Sequence, residues 1–390
     1  MSDKSLNWFF VLFNNEFRQD KVDAFQITMF LAPAHCFGCH NPRQSADYLG
    51  IHHQSLYTHL KGWSLYRVKK MLTAFMAHQA AERIRPVLEK SAATKSHAGI
   101  TMSVDNSVID RYGKMLRRTW SQYSGRFKKV VNGQDLPGII MTIDGVAIPI
   151  GLLFCSWQGR ADTDKPDLLI AMLTELVKAF KDEGVDLTRF PISMDSWYAS
   201  DPLKKRLYKS GFKDILVAGK SNYVFTIDGE KKNASEWKKE LELEDDLWGI
   251  DVPATRKKAF SPTFDKIIVF FFQKSSARCY HLMDLSEKPK RGAAIWRIWK
   301  QHHLIEAFWK TLKSVFKFKE MRLQGEGLYT GLLIKVLAYL LTIRLQKKKE
   351  FLKLSLLQIM RKVNREKDLK TLMIEHFHLP NALIAEIMKA

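Results

Sequence analysis

The chain has 390 residues, 46% hydrophobic and 26% charged, and its 62 Lys and Arg against 41 Asp and Glu leave a formal net charge of +21 and a pI near 9.7. That length holds two or three domains with substantial cores, and the charge exceeds what solubility needs, so a polyanion is the expected partner. No signal peptide, lipidation motif or uninterrupted apolar span argues for a membrane partner, and four cysteines in a chain this long make no disulfide framework, so a reducing cytoplasm is expected.

The first ninety-five residues read as a helical module. HCFGCH has the CxxCH spacing of covalent haem attachment, but such proteins are exported. Cys36, Cys39, His53 and His59 have near-finger spacing for zinc, yet the separation of the two histidines turns them to different helix faces, so ordinary loop cysteines are the default. In PRQSADYLGIHHQSLYTHLKGW, Ser45 to Leu49 reads as a short helix, Gly50 as a left-handed turn, and His52 to Lys61 as a second helix. In such a helix-turn-helix the second helix enters the major groove, making Gln54, Ser55, Thr58 and His59 candidates for base edges. Lys61, Arg67, Lys69 and Lys70 are candidates for phosphates. The bland alternative is a packed helix pair without DNA contact.

Next comes GITMSVD, Gly99 to Asp105, a β-type run ending on an aspartate. Behind it lie Arg111, Lys114, Arg117, Arg118, Arg126, Lys128 and Lys129, interleaved with Tyr112, Trp120, Tyr123 and Phe127, a pattern that favours DNA contact over a merely solvated face. Ile139 to Ile143 and Ala147 to Trp157 read as strands joined at Asp144-Gly145, a hairpin signal that accounts for Asp144 without a metal. A helix is expected over Lys165 to Asp182, then FPISMD with a strand at Ile192 to Met194 ending on Asp195, a helix from Pro202 to Lys209, and a strand from Ile215 to Ala218. Three antiparallel strands, a helix, a strand and a helix are the order of a ribonuclease-H-like sheet. From Ser221 to Ser286 the chain turns β-rich, with strands at Tyr223 to Ile227 and Ile267 to Gln273 and a turn at Asp228-Gly229. The acidic run Glu242 to Asp246 reads as a solvated loop and Trp248 as a core-edge residue.

WKQHHLIEAFWKTLK, Trp299 to Lys313, then predicts one amphipathic helix. At about 100° per residue, Trp299, His302, Glu306 and Lys313 fall within roughly 60° of arc, opposite Leu304, Ile305, Phe308 and Leu312. Aspartate is a poor strand residue, so each strand-ending Asp is either a turn former or a ligand at the sheet edge. Two such aspartates and a helical Glu are what two Mg²⁺ or Mn²⁺ ions about 4 Å apart require for phosphoryl transfer on nucleic acid. In that scheme Asp105 bridges both ions while Asp195 and Glu306 hold one each. Gly331 to Leu345 is expected to be a buried helix, and Lys347, Lys348 and Lys349 follow it.

SVDNSVIDRYGK, ISMDSWYAS and the Trp299 to Lys313 segment resemble the three blocks of the DDE insertion-sequence transposases. The resemblance is to the branch whose third block is Tyr-x2-Arg-x3-Glu-x6-Lys and whose core carries a β-rich insertion. It covers about residues 95 to 345. It implies an α/β protein with a ribonuclease-H-like core. The expected division is a helical DNA-binding domain at 1–95, core at 96–220, β-rich insertion at 221–286, core with the Glu helix at 287–345, and C-terminal helices at 346–390. It also implies Asp105, Asp195 and Glu306 as catalytic metal ligands for Mg²⁺ (two ions, Mn²⁺ substituting), and Lys313 on the transposon end. The implied partners are double-stranded DNA, transposon ends and target, bound by a homodimer in a bacterial cytoplasm. Glu306 and Lys313 keep the signature spacing, while Trp299 and His302 replace its Tyr and Arg. In those places the two can stack on a base and contact phosphate. The alternatives are a ribonuclease-H-like nuclease without strand transfer and a domesticated, catalytically idle DNA-binding protein.

Overall fold

The computed structural model describes residues 41–366 except 50–51, 63, 95–98, 111–117, 125–127, 156–164, 246–248, 276–277, 321–322 and 324–326. Cys36, Cys39, Gly50, Arg111, Lys114, Arg117, Arg126 and Trp248, to which the sequence assigns roles, lie outside the described residues. So do the side chains of Ser55, His59 and Lys61.

The chain groups into two compact units. One comprises Met1–Gln79, Val108–Asp135 and Ala307–Ala390, the other Ala80–Ser107 and Leu136–Glu306.

In the second unit the sheet is built from β1 (Thr101–Asp110), β3 (Lys129–Ile143), β4 (Val146–Leu152), β5 (Ile192–Met194) and β6 (Ile215–Ala218), side by side in the order β4-β3-β1-β5-β6. β3 and β4 are antiparallel and turn at Asp144 and Gly145, both at positive φ (49° and 74°), as a two-residue type I′ hairpin requires. β1, β5 and β6 are parallel, with Met102 opposite Ile192 and Ile192 opposite Ile215. Parallel strands bury both faces, and Thr101–Val104, Ile192–Met194 and Ile215–Val217 are buried at every position. α4 (Lys165–Asp182) covers one face through Leu169, Met172, Leu173, Leu176 and Phe180, spaced for a single helical stripe. It ends at Gly184, where φ is 71° and the Val185 N–H returns to the Phe180 carbonyl. α5 (Asp201–Lys209) follows β5.

The β-rich segment extends this sheet. β7 (Val224–Ile227), β8 (Glu230–Asn233), β9 (Ala254–Ser261), β10 (Asp265–Ser275) and β11 (Arg278–Asp284) continue it in the order β6-β11-β10-β9-β7-β8, with Leu282 opposite Ala218. α6 (Ala234–Glu240) starts on a reciprocal capping box between Asn233 and Glu236. α7 (Gly292–His302) lays Ile295, Trp296, Ile298 and Trp299 on Leu216, Phe270, Phe272 and Leu282.

The single helix expected over Trp299 to Lys313 is two. α7 closes at His303, which is still right-handed (φ −63°, ψ −13°), and α8 runs from Leu304 to Ser314. The apolar stripe changes phase there: Trp299 and His302 pack inward at 7% and 5% exposure while Glu306 faces out. One wheel therefore does not describe both segments. β1 also runs past Asp105 to Asp110 instead of ending on it. In the first unit Gly133 makes room for that extension, since a Cβ there would stand 2.9 Å from the Ile109 carbonyl oxygen.

The first unit holds α1 (Pro42–Leu49), α2 (His53–Gly62), the start of α3 (Leu65–Thr94), β2 (Trp120–Ser124) paired with the start of β3, α9 (Gly327–Gln346) and α10 (Leu356–Glu366). α9 is long and apolar enough to cross a membrane, but nearly all of it is buried within the protein, as a core helix is. Lys335 is fully buried in it, and its ammonium donates to the Phe316 carbonyl at 2.6 Å, which a buried cation requires.

Candidate active site

The register of β1 on β5 pairs Val104 with Met194, so the next residues along both strands are Asp105 and Asp195. Alternation sends Ser103 and Ser193, two residues earlier, to the same face. Ser193 Oγ lies 3.2 Å from Ser103 Oγ, 3.1 Å from the Met102 carbonyl and 3.0 Å from His302 Nδ1. A buried hydroxyl and imidazole network thus lies beneath the aspartates and ties β1, β5 and α7 together. The repeated Ser-x-Asp in MSVD and ISMD is the sequence signal for it.

Asp195 is exposed and caps the 3₁₀ turn Ser196–Tyr198, accepting from the Ser196 N–H at 2.6 Å. It thus fills the turn-forming role. Glu306 sits in the first turn of α8 with Oε1 3.6 Å from His303 Nδ1. Asp105 is part-buried, and its carboxyl is pushed up from 3.8 to about 7. Burial is the main cause, with the charges of Asp195 and Glu306 adding, against a backbone hydrogen bond from Asn106 and the Lys165 charge.

Among the described residues no three His, Cys, Asp or Glu side chains converge closely enough to hold an ion. Asp195 is turned to the Ser196 N–H and Glu306 to the His303 ring. Chemically the set fits a hard divalent ion: every donor is a carboxylate oxygen, and Asp105 already shows the demand for positive charge.

Trp299 and His302 stack on each other, ring centroids 4.5 Å apart and 6° from parallel. Burial holds the His302 ring down to about 4, helped by His303 and opposed by Glu306 and Ser193, so the ring is neutral near pH 7. The phosphate contact by a protonated His302 considered from sequence therefore has no charge behind it in this arrangement. Lys313, in the first unit, donates to the Val108 carbonyl of β1 at 2.8 Å. Gln54 and Thr58 are exposed on α2, with Thr58 Oγ1 returned to the Gln54 carbonyl at 2.9 Å. Lys128 and Lys129 are exposed on the β2–β3 hairpin, while the Arg118 guanidinium lies over the Tyr329 ring, 5.7 Å from its centre.

Trp197, two residues past Asp195, carried no role in the sequence. It is 65% exposed, with Lys165 Nζ 4.7 Å and Lys220 Nζ 5.9 Å from its ring centre. An exposed indole flanked by two ammonium groups offers a flat face for stacking and positive charge for an anion.

No family model and no curated protein matches the sequence. Among solved structures, the chain is similar to a piggyBac transposase in a cryo-EM synaptic complex with hairpin DNA, at 16% identity and a TM-score of 0.42. The match covers 74% of this chain and 56% of that one, so this chain spans just over half the length of the other.

Proposed function

We propose that the protein is a DNA transposase with a ribonuclease-H-like core. In this reading it binds transposon ends as a homodimer, cuts them, and joins the freed 3′ ends to target DNA. The observation that carries it is the register of the parallel strands β1 and β5, which pairs Val104 with Met194 and so brings Asp105 and Asp195 next to each other, with Glu306 close enough to raise the Asp105 proton affinity. The strand order β4-β3-β1-β5-β6, antiparallel at β3–β4 and parallel from β1 onward, supports the ribonuclease-H-like reading.

Asp105, Asp195 and Glu306 would hold two Mg²⁺ or Mn²⁺ ions, which supply charge neutralisation at the attacking and leaving oxygens of a phosphodiester. Ser193 and His302 hold the strands and α7 in place beneath the aspartates. Trp197, with Lys165 and Lys220, stacks a base and draws its phosphates toward them. Lys313 fixes the β1 extension through Val108. Cleavage exchanges the bond from phosphorus to the 3′ oxygen for one to water oxygen. Joining then exchanges one phosphodiester for another, so no covalent protein intermediate is needed. The helix pair α1–α2, with Gln54, Ser55, Thr58 and Lys61, would read the ends.

The test is incubation with the DNA flanking the gene and Mg²⁺. Wild type should give cut and joined products, and Asp105→Asn, Asp195→Asn and Glu306→Gln should each cut at least about a thousandfold more slowly while binding ends normally. Wild-type cutting by any of the three removes that residue from the site. Cutting without joining would identify a nuclease.

A further inference from the structure

A cavity of about 640 Å³ lies in the second unit at the end of the sheet where β1 begins, walled by Gly99 to Thr101, the Arg189–Pro191 turn, Asp214 and the start of α7. Because β1 and β5 are parallel, it faces the opposite strand ends from Asp105 and Asp195, roughly 15 Å away along β1.

Its chemistry is divided. Ile100, Phe190 and Ile298 form an apolar floor, each no more than 5% exposed. Thr101 and Gln301 offer it little polarity, since Thr101 Oγ1 donates to Gln301 Oε1 at 2.8 Å and Gln301 Nε2 donates to the Gly99 carbonyl at 3.0 Å. The rim carries Arg189, Lys290, Arg291 and Arg297 against one carboxylate, Asp214, and that carboxylate is taken by Lys290 at 2.8 Å. Arg189 lies over the Phe190 ring, 5.9 Å from its centre. Arg291 and Arg297 are exposed and have no carboxylate partner among the described residues. Arg291 is also the N-cap of the 11-residue α7 and makes no side-chain cap, so the positive end of that helix adds to the cationic rim.

Uncompensated guanidiniums mark a site for an anion, and forked donors of this kind suit phosphate. An apolar floor of this size beside them suits a flat, weakly polar group attached to the phosphate. We propose that this cavity binds a nucleoside phosphate, either a free nucleotide or the 5′-terminal nucleotide of a strand. The site is independent of the transposase reading, since it uses none of the carboxylates.

Calorimetric titration of the full chain, at near-physiological salt and without divalent cation, tests it. ATP should bind at one site, while adenosine and inorganic triphosphate should each bind about tenfold more weakly or worse. Arg291→Ala with Arg297→Ala should weaken ATP about tenfold or more, with thermal stability unchanged because both side chains are exposed. Lys205→Ala with Lys209→Ala, equal in charge but on α5, should change it less than about twofold. Asp105→Asn should bind ATP as wild type does, whether or not the protein cuts DNA. A 5′-phosphorylated hexanucleotide that outbinds its 5′-hydroxyl form, and loses that advantage in the arginine variant, identifies the strand end as the ligand. A preference for ATP alone identifies the free nucleotide. The proposal is overturned if neither ATP nor the hexanucleotide binds, if inorganic triphosphate binds as well as ATP, if the α5 variant loses as much as the arginine variant, or if Asp105→Asn abolishes binding.

Discussion

Two residues show how little room the second unit leaves. Gly219 directly follows β6, and its N–H donates to the His281 carbonyl at 3.2 Å. A Cβ on Gly219 would stand 1.9 Å from His281 Nε2, and that ring is fixed between Phe225 and Phe271. Gly219→Ala should therefore destabilise the fold by about 1–3 kcal/mol, read as a lower denaturant midpoint at unchanged slope. An unchanged midpoint would mean that the ring moves freely. Asp105 supplies the opposite case. Its carboxyl holds a proton to about 7 when folded but only to 3.8 as a free group. Between those values the native state keeps a proton that the unfolded chain has lost, so this contribution to stability is complete below 3.8 and is lost as pH rises through 7. Asp105→Asn should be more stable than wild type at pH 8, by on the order of 2–4 kcal/mol, with the difference shrinking toward pH 4. His281 and His302, held down to about 3 and about 4, act in the other sense but equally in both proteins. Millimolar Mg²⁺ should narrow the pH 8 gap by stabilising the wild type more, and a gap indifferent to pH would contradict the burial of Asp105 beside Asp195 and Glu306.

At the scale of elements, the break at His303 matters most. It buries Trp299 and His302 and leaves Glu306 exposed, so that, among the described residues beside Asp195, the exposed ring is Trp197 on the turn after β5. Trp197→Ala should leave thermal stability within about 0.5 kcal/mol of wild type, since the ring is mostly exposed. It should weaken binding of DNA ends about tenfold, while Trp197→Phe keeps most of the affinity. Competition binding measures this. A large drop in melting temperature with unchanged affinity would make the indole a packing residue. The local signals were legible where they depended on neighbours in sequence: the Asp144-Gly145 and Asp228-Gly229 hairpins, α4, and the buried α9. The break was not, because Leu304 and Ile305 continue an acceptable helical pattern, and only the sheet beneath α7 decides where the stripe changes phase.

For the whole molecule, the excess of basic residues should make DNA binding steeply salt-dependent. A plot of log affinity against log salt should be linear, with a slope corresponding to several released counterions. Measured binding that is flat across moderate salt would rule out phosphate contacts as the main source of affinity. The β-rich segment expected at 221–286 emerges as an extension of the central sheet, because β11 returns to pair with β6. Such a long-range pairing leaves no trace in composition.

The sequence by itself determined the large positive charge, most of the strands and helices and the buried character of α9, because periodicity, turn chemistry and charge are local properties. The tertiary structure alone decided the register that sets Asp105 level with Asp195, that Ser103, Ser193 and His302 lie beneath them, that Trp197 is exposed beside Asp195 and that a cationic cavity opens at the far end of the strands. Those facts come from register between segments about ninety residues apart and from what each helix finds beneath it, and no window along the chain contains both partners.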